Sequence, residues 1–286
     1  MSTQFFIDGQ AGWSHHDSLS YGYYHTYDHL FLEGDVRKVQ IFLPADYEER
    51  KQKYPVVFMN DGHTAFYSGG LSAWSWEANK TVDSLFRNNT ISKVIIVAVY
   101  PVDRNRQYLP EGNEFAKANG TGDRYLSYYS NYLANVLIPF LERNYDIDFT
   151  PVKTSIVGSS LGAIASFYTA AKFNNKIGVA GAISPSFHSV IDFVKDSICP
   201  ESSAFMREIG TYLKAAAVKP SLWIDWGKYE ESVAENAPVI IKELQKKYGY
   251  ETSKNLFFVD DQLGTHDERA WGYRFGLFLK TFYPKK

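Results

Sequence analysis

Cysteine is almost missing: Cys199 is the single one among 286 residues. One thiol can neither close an internal disulfide nor supply a multi-cysteine zinc site, so the fold does not depend on an oxidising compartment. Cys199 reads as a small buried hydrophobe. Long apolar runs are missing as well, with no stretch of the roughly 18 residues that a bilayer-spanning helix needs. The segment Met1 to Trp13 carries Asp8 and no basic residue before its short apolar patch, unlike a secretory signal, and the expectation is a cytoplasmic protein. No excess of one charge sign exists: 30 Lys and Arg stand against 32 Asp and Glu, for a net charge of -2. That balance gives no electrostatic reason to expect nucleic acid or an anionic membrane surface as partner. No P-loop, dinucleotide fingerprint or metal-ligand cluster is found, so neither cofactor nor metal is expected.

What is present is ample core material, 45% hydrophobic residues and 16% aromatic ones. The length suits a single domain over residues 1–286. There is no internal repeat, low-complexity tract or long linker. Extended stretches rich in Val, Ile, Phe and Tyr are predicted at Tyr21 to Leu32, Lys38 to Leu43, Tyr54 to Met59, Lys93 to Tyr100, Lys153 to Val157, Val179 to Ile183, Ser221 to Trp226 and Asn255 to Val259. Helical spacing aligns Leu133, Val136, Leu137, Phe140 and Leu141 on one face, and Ala237, Ile240, Ile241, Leu244 and Tyr248 on another; Glu268 to Phe282 also fits a helix. Alternating strands and helices predict an α/β fold with a mostly parallel central sheet and helices on both faces. Because the first strands have no helices between them, an antiparallel edge is expected on the N-terminal side.

The turn Gly158-Ser159-Ser160-Leu161-Gly162 lies between the β-branched run Thr154 to Val157 and the apolar stretch Ala163 to Ala171. This is the strand-turn-helix setting of a G-x-S-x-G nucleophile elbow, with Ser160 at its centre. In an open α/β sheet, ligands bind beyond the carboxyl ends of the strands. Two further strands end in chemistry-bearing loops. One runs Gly227-Lys228-Tyr229-Glu230-Glu231; the other runs Asp260 to Asp267 and contains His266. Serine, acid and histidine therefore follow in that order. A serine hydroxyl needs a base, and the imidazole needs a carboxylate on its other nitrogen. Of seven histidines, His266 alone follows a late strand and a glycine turn and precedes a terminal helix. For the acid, Asp225, Glu230, Glu231 and Glu235 crowd one strand end. Glu230, beyond the turn glycine, is favoured, whereas Asp225 inside the strand reads as a structural hydrogen-bonding carboxylate.

These residues resemble the putative esterases of the α/β-hydrolase superfamily, which include feruloyl esterases, siderophore esterases, S-formylglutathione hydrolases and mycolyltransferases. The resemblance rests on Tyr54 to Gly62, on Asp103 to Pro110, and on the elbow. It continues through Ser184-Pro185-Ser186, Trp223 to Glu230 and Gly264 to Glu268. Departures are Asn60, where an apolar residue is common, and Ala163, where a second glycine is frequent. The resemblance implies an α/β-hydrolase fold with Ser160 as nucleophile, Glu230 as acid and His266 as base. An oxyanion hole is expected from the backbone N–H of Leu161, and the resemblance points to the N–H of His63 as the second donor. Arg104 and Arg106, the aromatics Trp74 and Trp76, and His188 are candidate substrate contacts on loops beyond strand ends. The expected activity is serine carboxylic-ester hydrolysis of a small-molecule ester; an acyltransferase with the same nucleophile and a non-catalytic binding module on the same scaffold are the alternatives.

Overall fold

A computed structural model describes residues 2–17, 22–68, 72–194, 197–199 and 203–285. Within it the chain forms two compact units, the first made of Met1–Val102, Leu133–Phe149 and Asp267–Lys286, the second of Asp103–Tyr132 and Thr150–His266.

The first unit opens with a hairpin, β1 (Ser2–Ile7) and β2 (Gln10–His15), joined through Asp8 and Gly9. Both turn residues have positive φ, 51° and 75°. That is the backbone of the two-residue turns that match strand twist, and Asp-Gly is their common sequence. Next come β3 (Gly22–Leu32), β4 (Asp35–Pro44) and β5 (Val56–Met59). Two helical segments follow, the one-turn α1 (Gly62–Ala65) and then α2 (Ala78–Arg87), and after β6 (Ile95–Val99) the chain passes to the second unit. The strand order is β1-β2-β3-β4-β6-β5. Pairing is antiparallel from β1 through β4 to β6 and parallel between β5 and β6. The antiparallel N-terminal edge is thus present, and the unexpected hairpin extends it. Tyr21, included in the expected first strand, lies outside the described residues.

The second unit begins with three short helices, α3 (Arg104–Gln107), α4 (Glu114–Asn119) and α5 (Leu126–Tyr132). The chain then returns to the first unit through a π-helical turn, Leu133–Leu137, and α6 (Ile138–Asn144). Pro139 stands in the first turn of α6, where its missing N–H costs little. Back in the second unit, β7 (Thr154–Ser160) leads into α7 (Leu161–Lys172), and β8 (Val179–Pro185) into the small hairpin β9 (Asp192–Val194) and β10 (Ser197–Cys199). The side chain of Cys199, expected to be buried, lies outside the described residues. Then come α8 (Ala204–Ala215), β11 (Ser221–Gly227), α9 (Glu231–Tyr248) and β12 (Leu256–Asp261). The terminal α10 (Glu268–Phe282) belongs to the first unit and packs on α2.

Strands β7, β8, β11 and β12 lie in that order and pair in parallel. Residues of β7, β8 and β11 are buried almost throughout, as the near-continuous apolar runs of parallel strands require, whereas β12 at the sheet edge buries only Leu256 fully. Helix α7 is buried from Leu161 to Ala171 and packs on β7 and β8. Its alanines at 163, 165, 170 and 171 let the helix approach the sheet closely, which fixes the turn at its N-terminus.

Candidate active site

Ser160 is the hinge between β7 and α7, with φ 56° and ψ -120°. Such a backbone is strained for a residue with a Cβ, and it lifts the side chain out of the strand-helix turn. Leu161 is the first residue of α7, so its N–H lies at the positive end of a long helix. Ser160 Oγ shares a hydrogen bond with Ser186 Oγ at 3.0 Å, and Ser186 N donates to the Ser160 carbonyl at 3.2 Å.

The acid and the histidine come from the loops after β11 and β12, which run in parallel and end side by side. Backbone bonds stitch the loops together: Lys228 N donates to Asp261 O at 2.8 Å and Tyr229 N to Gly264 O at 3.3 Å. Gly227 makes this approach possible. A Cβ there would lie 2.2 Å from Gly264 O and 2.8 Å from Glu230 Oε1. With the loops so held, Glu230 Oε2 lies 2.9 Å from His266 Nδ1. The other oxygen, Oε1, accepts from Ser184 Oγ at 2.8 Å and from Gly227 N at 3.0 Å. The Glu230 side chain has no exposure, while that of His266 is 39% exposed. A buried, donor-rich carboxylate behind an accessible imidazole is an arrangement that orients one ring nitrogen and leaves the other edge for chemistry.

Asp225 is engaged differently. Fully buried inside β11, it accepts from Trp223 Nε1 at 2.6 Å and from Ser184 N at 3.3 Å, in keeping with a structural carboxylate.

A cleft of about 660 Å³ opens beside the serine, lined by Ser160, Leu161, Ser186, His188, Ser189, Arg104, Asn105, Asn113, Glu114 and Phe115. His188 keeps an exposed edge, yet partial burial pushes its ionisation below the usual histidine range, and positive charge on nearby His266 pushes the same way. Arg104 enters the cleft from α3, whose N-cap is Asp103. Burial works against ionisation of Asp103, but N–H donors from Gly122, Thr121 and Arg106 outweigh it and hold the carboxyl below its ordinary value.

A family model described as "Putative esterase" matches residues 32–277. This chain belongs to that esterase family. It is an ester-hydrolysing enzyme. A relative from Bacillus subtilis (strain 168), the uncharacterized protein YbbA, is 21% identical over 254 residues, covering 86% of this chain and 89% of YbbA. Among solved structures, a mutant of the feruloyl esterase module from Clostridium thermocellum complexed with sinapinate has a TM-score of 0.70 at 14% identity, over 95% of this chain and 91% of that one. The enterobactin esterase FES from Shigella flexneri, in the presence of 2,3-Di-hydroxy-N-benzoyl-serine, has a TM-score of 0.62 at 15% identity, over 91% of this chain and 58% of that one. The esterase therefore has the α/β-hydrolase fold.

Arg106 donates to Tyr125 Oη and to the carbonyls of Lys117 and Gly120, at 3.1 and 2.9 Å, which ties the loop together. Trp74, Trp76 and His63 belong to the first unit. Trp76 is 3% exposed and packs against Trp271 and Phe275, a core role. Trp74 is about half exposed and carries the Arg269 guanidinium 4.0 Å from its ring centroid. His63, half-buried, lies on the one-turn α1 after β5, with Asp61 before it at φ 57°. The sequence marks Gly227 only as a turn glycine and gives Ser184 and Ser186 no role, although all three fall in stretches that carry the family resemblance. Among the described residues no helix is long and apolar enough to cross a membrane.

Proposed function

We propose that the esterase hydrolyses its ester through a Ser160–His266–Glu230 triad and an acyl-enzyme. The observation that carries this reading is the 2.9 Å contact between buried Glu230 and His266 Nδ1, in the same unit as a strand-helix serine with positive φ. His266 Nε2 takes the Ser160 proton as Oγ attacks the carbonyl carbon. Ser186 holds the hydroxyl beforehand. The tetrahedral oxyanion is received by the Leu161 N–H at the start of α7, a donor worth roughly 3 kcal/mol. His266 then gives its proton to the leaving alkoxide, and the acyl group remains on Ser160. Water, deprotonated by His266, attacks the acyl carbon and the bond to Ser160 breaks, releasing the acid and restoring the serine.

For the substrate, an ester with an aromatic acyl group fits best. Two structures that the esterase resembles are named with aromatic acyl compounds, and its own cleft pairs the exposed ring of Phe115 with Arg104. A panel of short, long and aromatic acyl esters, with a thioester and a siderophore lactone included, tests this: the highest kcat/KM belongs to the aromatic esters. A fluorophosphonate should label Ser160, and Ser160→Ala should abolish both labelling and hydrolysis. Labelling at Ser159 would overturn the elbow assignment.

A further inference from the structure

Ser184 stands at an irregularity in the pairing of β7 with β8. Ser159 pairs with Ile183 and Ser160 with Pro185, so Ser184 is the extra residue of a bulge directly beside the nucleophile turn. Its φ is 44°, a left-handed conformation that favours glycine, and its side chain is fully buried. A serine kept in such a conformation beside an active site needs interactions that hold it there.

Two are visible, and both involve carboxylates. Ser184 N donates to Asp225, whose other oxygen accepts from Trp223 Nε1, so the bulge is braced by a buried strand residue. Ser184 Oγ donates to Glu230 Oε1 at 2.8 Å. Glu230 is the N-cap residue of α9, but its side chain makes no capping bond to that helix. Its carboxylate is turned the other way, with Oε1 on Ser184 and Gly227 and Oε2 on His266. A glutamate has enough rotatable bonds that the direction of Oε2 must be set by whatever fixes Oε1.

We infer that Ser184 is a positioning residue for ester hydrolysis: its hydroxyl, carried on a bulge braced by Asp225, pins one oxygen of Glu230 so that the other stays aimed at His266. This rests on the reading of Glu230 as the triad acid. Asp225 then acts on the site through Ser184.

A double-mutant cycle tests it, with Ser184→Gly, Ser184→Ala, Glu230→Ala and the combination Ser184→Gly with Glu230→Ala, all checked as folded by circular dichroism. A hydrogen bond to a charged group is worth enough that losing it should lower kcat roughly tenfold to a hundredfold. KM should stay within about twofold, because substrate binding is untouched. Glycine suits the left-handed backbone, so Ser184→Gly should keep its Tm while losing the rate; Ser184→Ala, which retains the strain, should lose the same rate. In the Glu230→Ala background there is no carboxylate to position, and Ser184→Gly should cost less than about twofold more. Wild-type kcat in Ser184→Gly or Ser184→Ala, with Glu230→Ala impaired, would overturn this inference alone. So would a full multiplicative loss in the double variant, or a loss confined to KM. Wild-type kcat in Glu230→Ala would bring down the triad reading and this inference together.

Discussion

Two carboxylates at the end of β11 divide the work by where their oxygens point. Asp225 is locked within the strand by Trp223 and the Ser184 N–H, while Glu230, beyond the turn, meets His266. Glu230→Gln should lower kcat by about 10³ to 10⁴, the cost of losing an orienting carboxylate. Asp225→Asn should act mainly on stability, by about 1–3 kcal/mol for a disturbed buried hydrogen-bond pair, with kcat reduced tenfold at most. Steady-state kinetics and urea unfolding of the two variants measure this, and the opposite ranking would hand the triad role to Asp225. The sequence offered Asp225, Glu230, Glu231 and Glu235 at this strand end and favoured Glu230, since residues past a turn glycine point into a loop. It could not show that Oε1 of Glu230 is also held by Ser184 and Gly227, because those contacts need the bulge in β8 and the closeness of two loops.

At the level of elements, the site depends on how tightly the loops after β11 and β12 approach. Gly227→Ala would put a methyl group against the Gly264 carbonyl and Glu230 Oε1. The obstruction is mostly backbone, so the loops must separate; kcat should fall at least about tenfold, as misplaced catalytic groups do, and Tm should drop. Gly34→Ala is the control. Gly34 has φ +78° and open space around it, so alanine should cost about 1 kcal/mol through backbone strain alone and leave kcat unchanged. Thermal unfolding and initial rates on the pair distinguish a packed active-site loop from a generic glycine effect. Elements themselves were legible where apolar runs were long: each extended stretch read from the sequence has a matching strand, and α10 has the bounds expected for it. The hairpin of β1 and β2 went unread. Its strands are short and mostly exposed, so no alternation marked them, although Asp8-Gly9 carried the turn signal.

Across the whole molecule, acid should weaken the fold through a histidine remote from the chemistry. His25 is half-buried in the first unit, with Nδ1 at 3.1 Å from the Tyr145 hydroxyl, which in turn bonds Tyr27. Burial lowers its ionisation to about 4, with Glu48 opposing and His15 assisting. Between about pH 6.5 and pH 4 the unfolded chain binds a proton there that the folded one refuses, so stability rises with pH across this window and is lost on acidification. The contribution is about 2 kcal/mol once residual solvation of the ring is allowed for. Urea unfolding at a series of pH values should show His25→Gln with a flatter slope than wild type between pH 4 and 6.5; an unchanged slope would assign the acid sensitivity to other groups. The sequence by itself determined the alternation of strands and helices and the strand-turn-helix setting of Ser160, because each depends on residues within a few positions of one another. Tertiary structure decided which carboxylate meets the histidine, that Arg104 lines the cleft while Arg106 secures its loop, and that Trp76 is core. Glu230 and His266 are 36 residues apart, and Ser184 and Glu230 are 46 apart. Contacts over such separations are set by strand order, by the register shift in β8 and by the absence of a Cβ at Gly227, and local spacing encodes none of these.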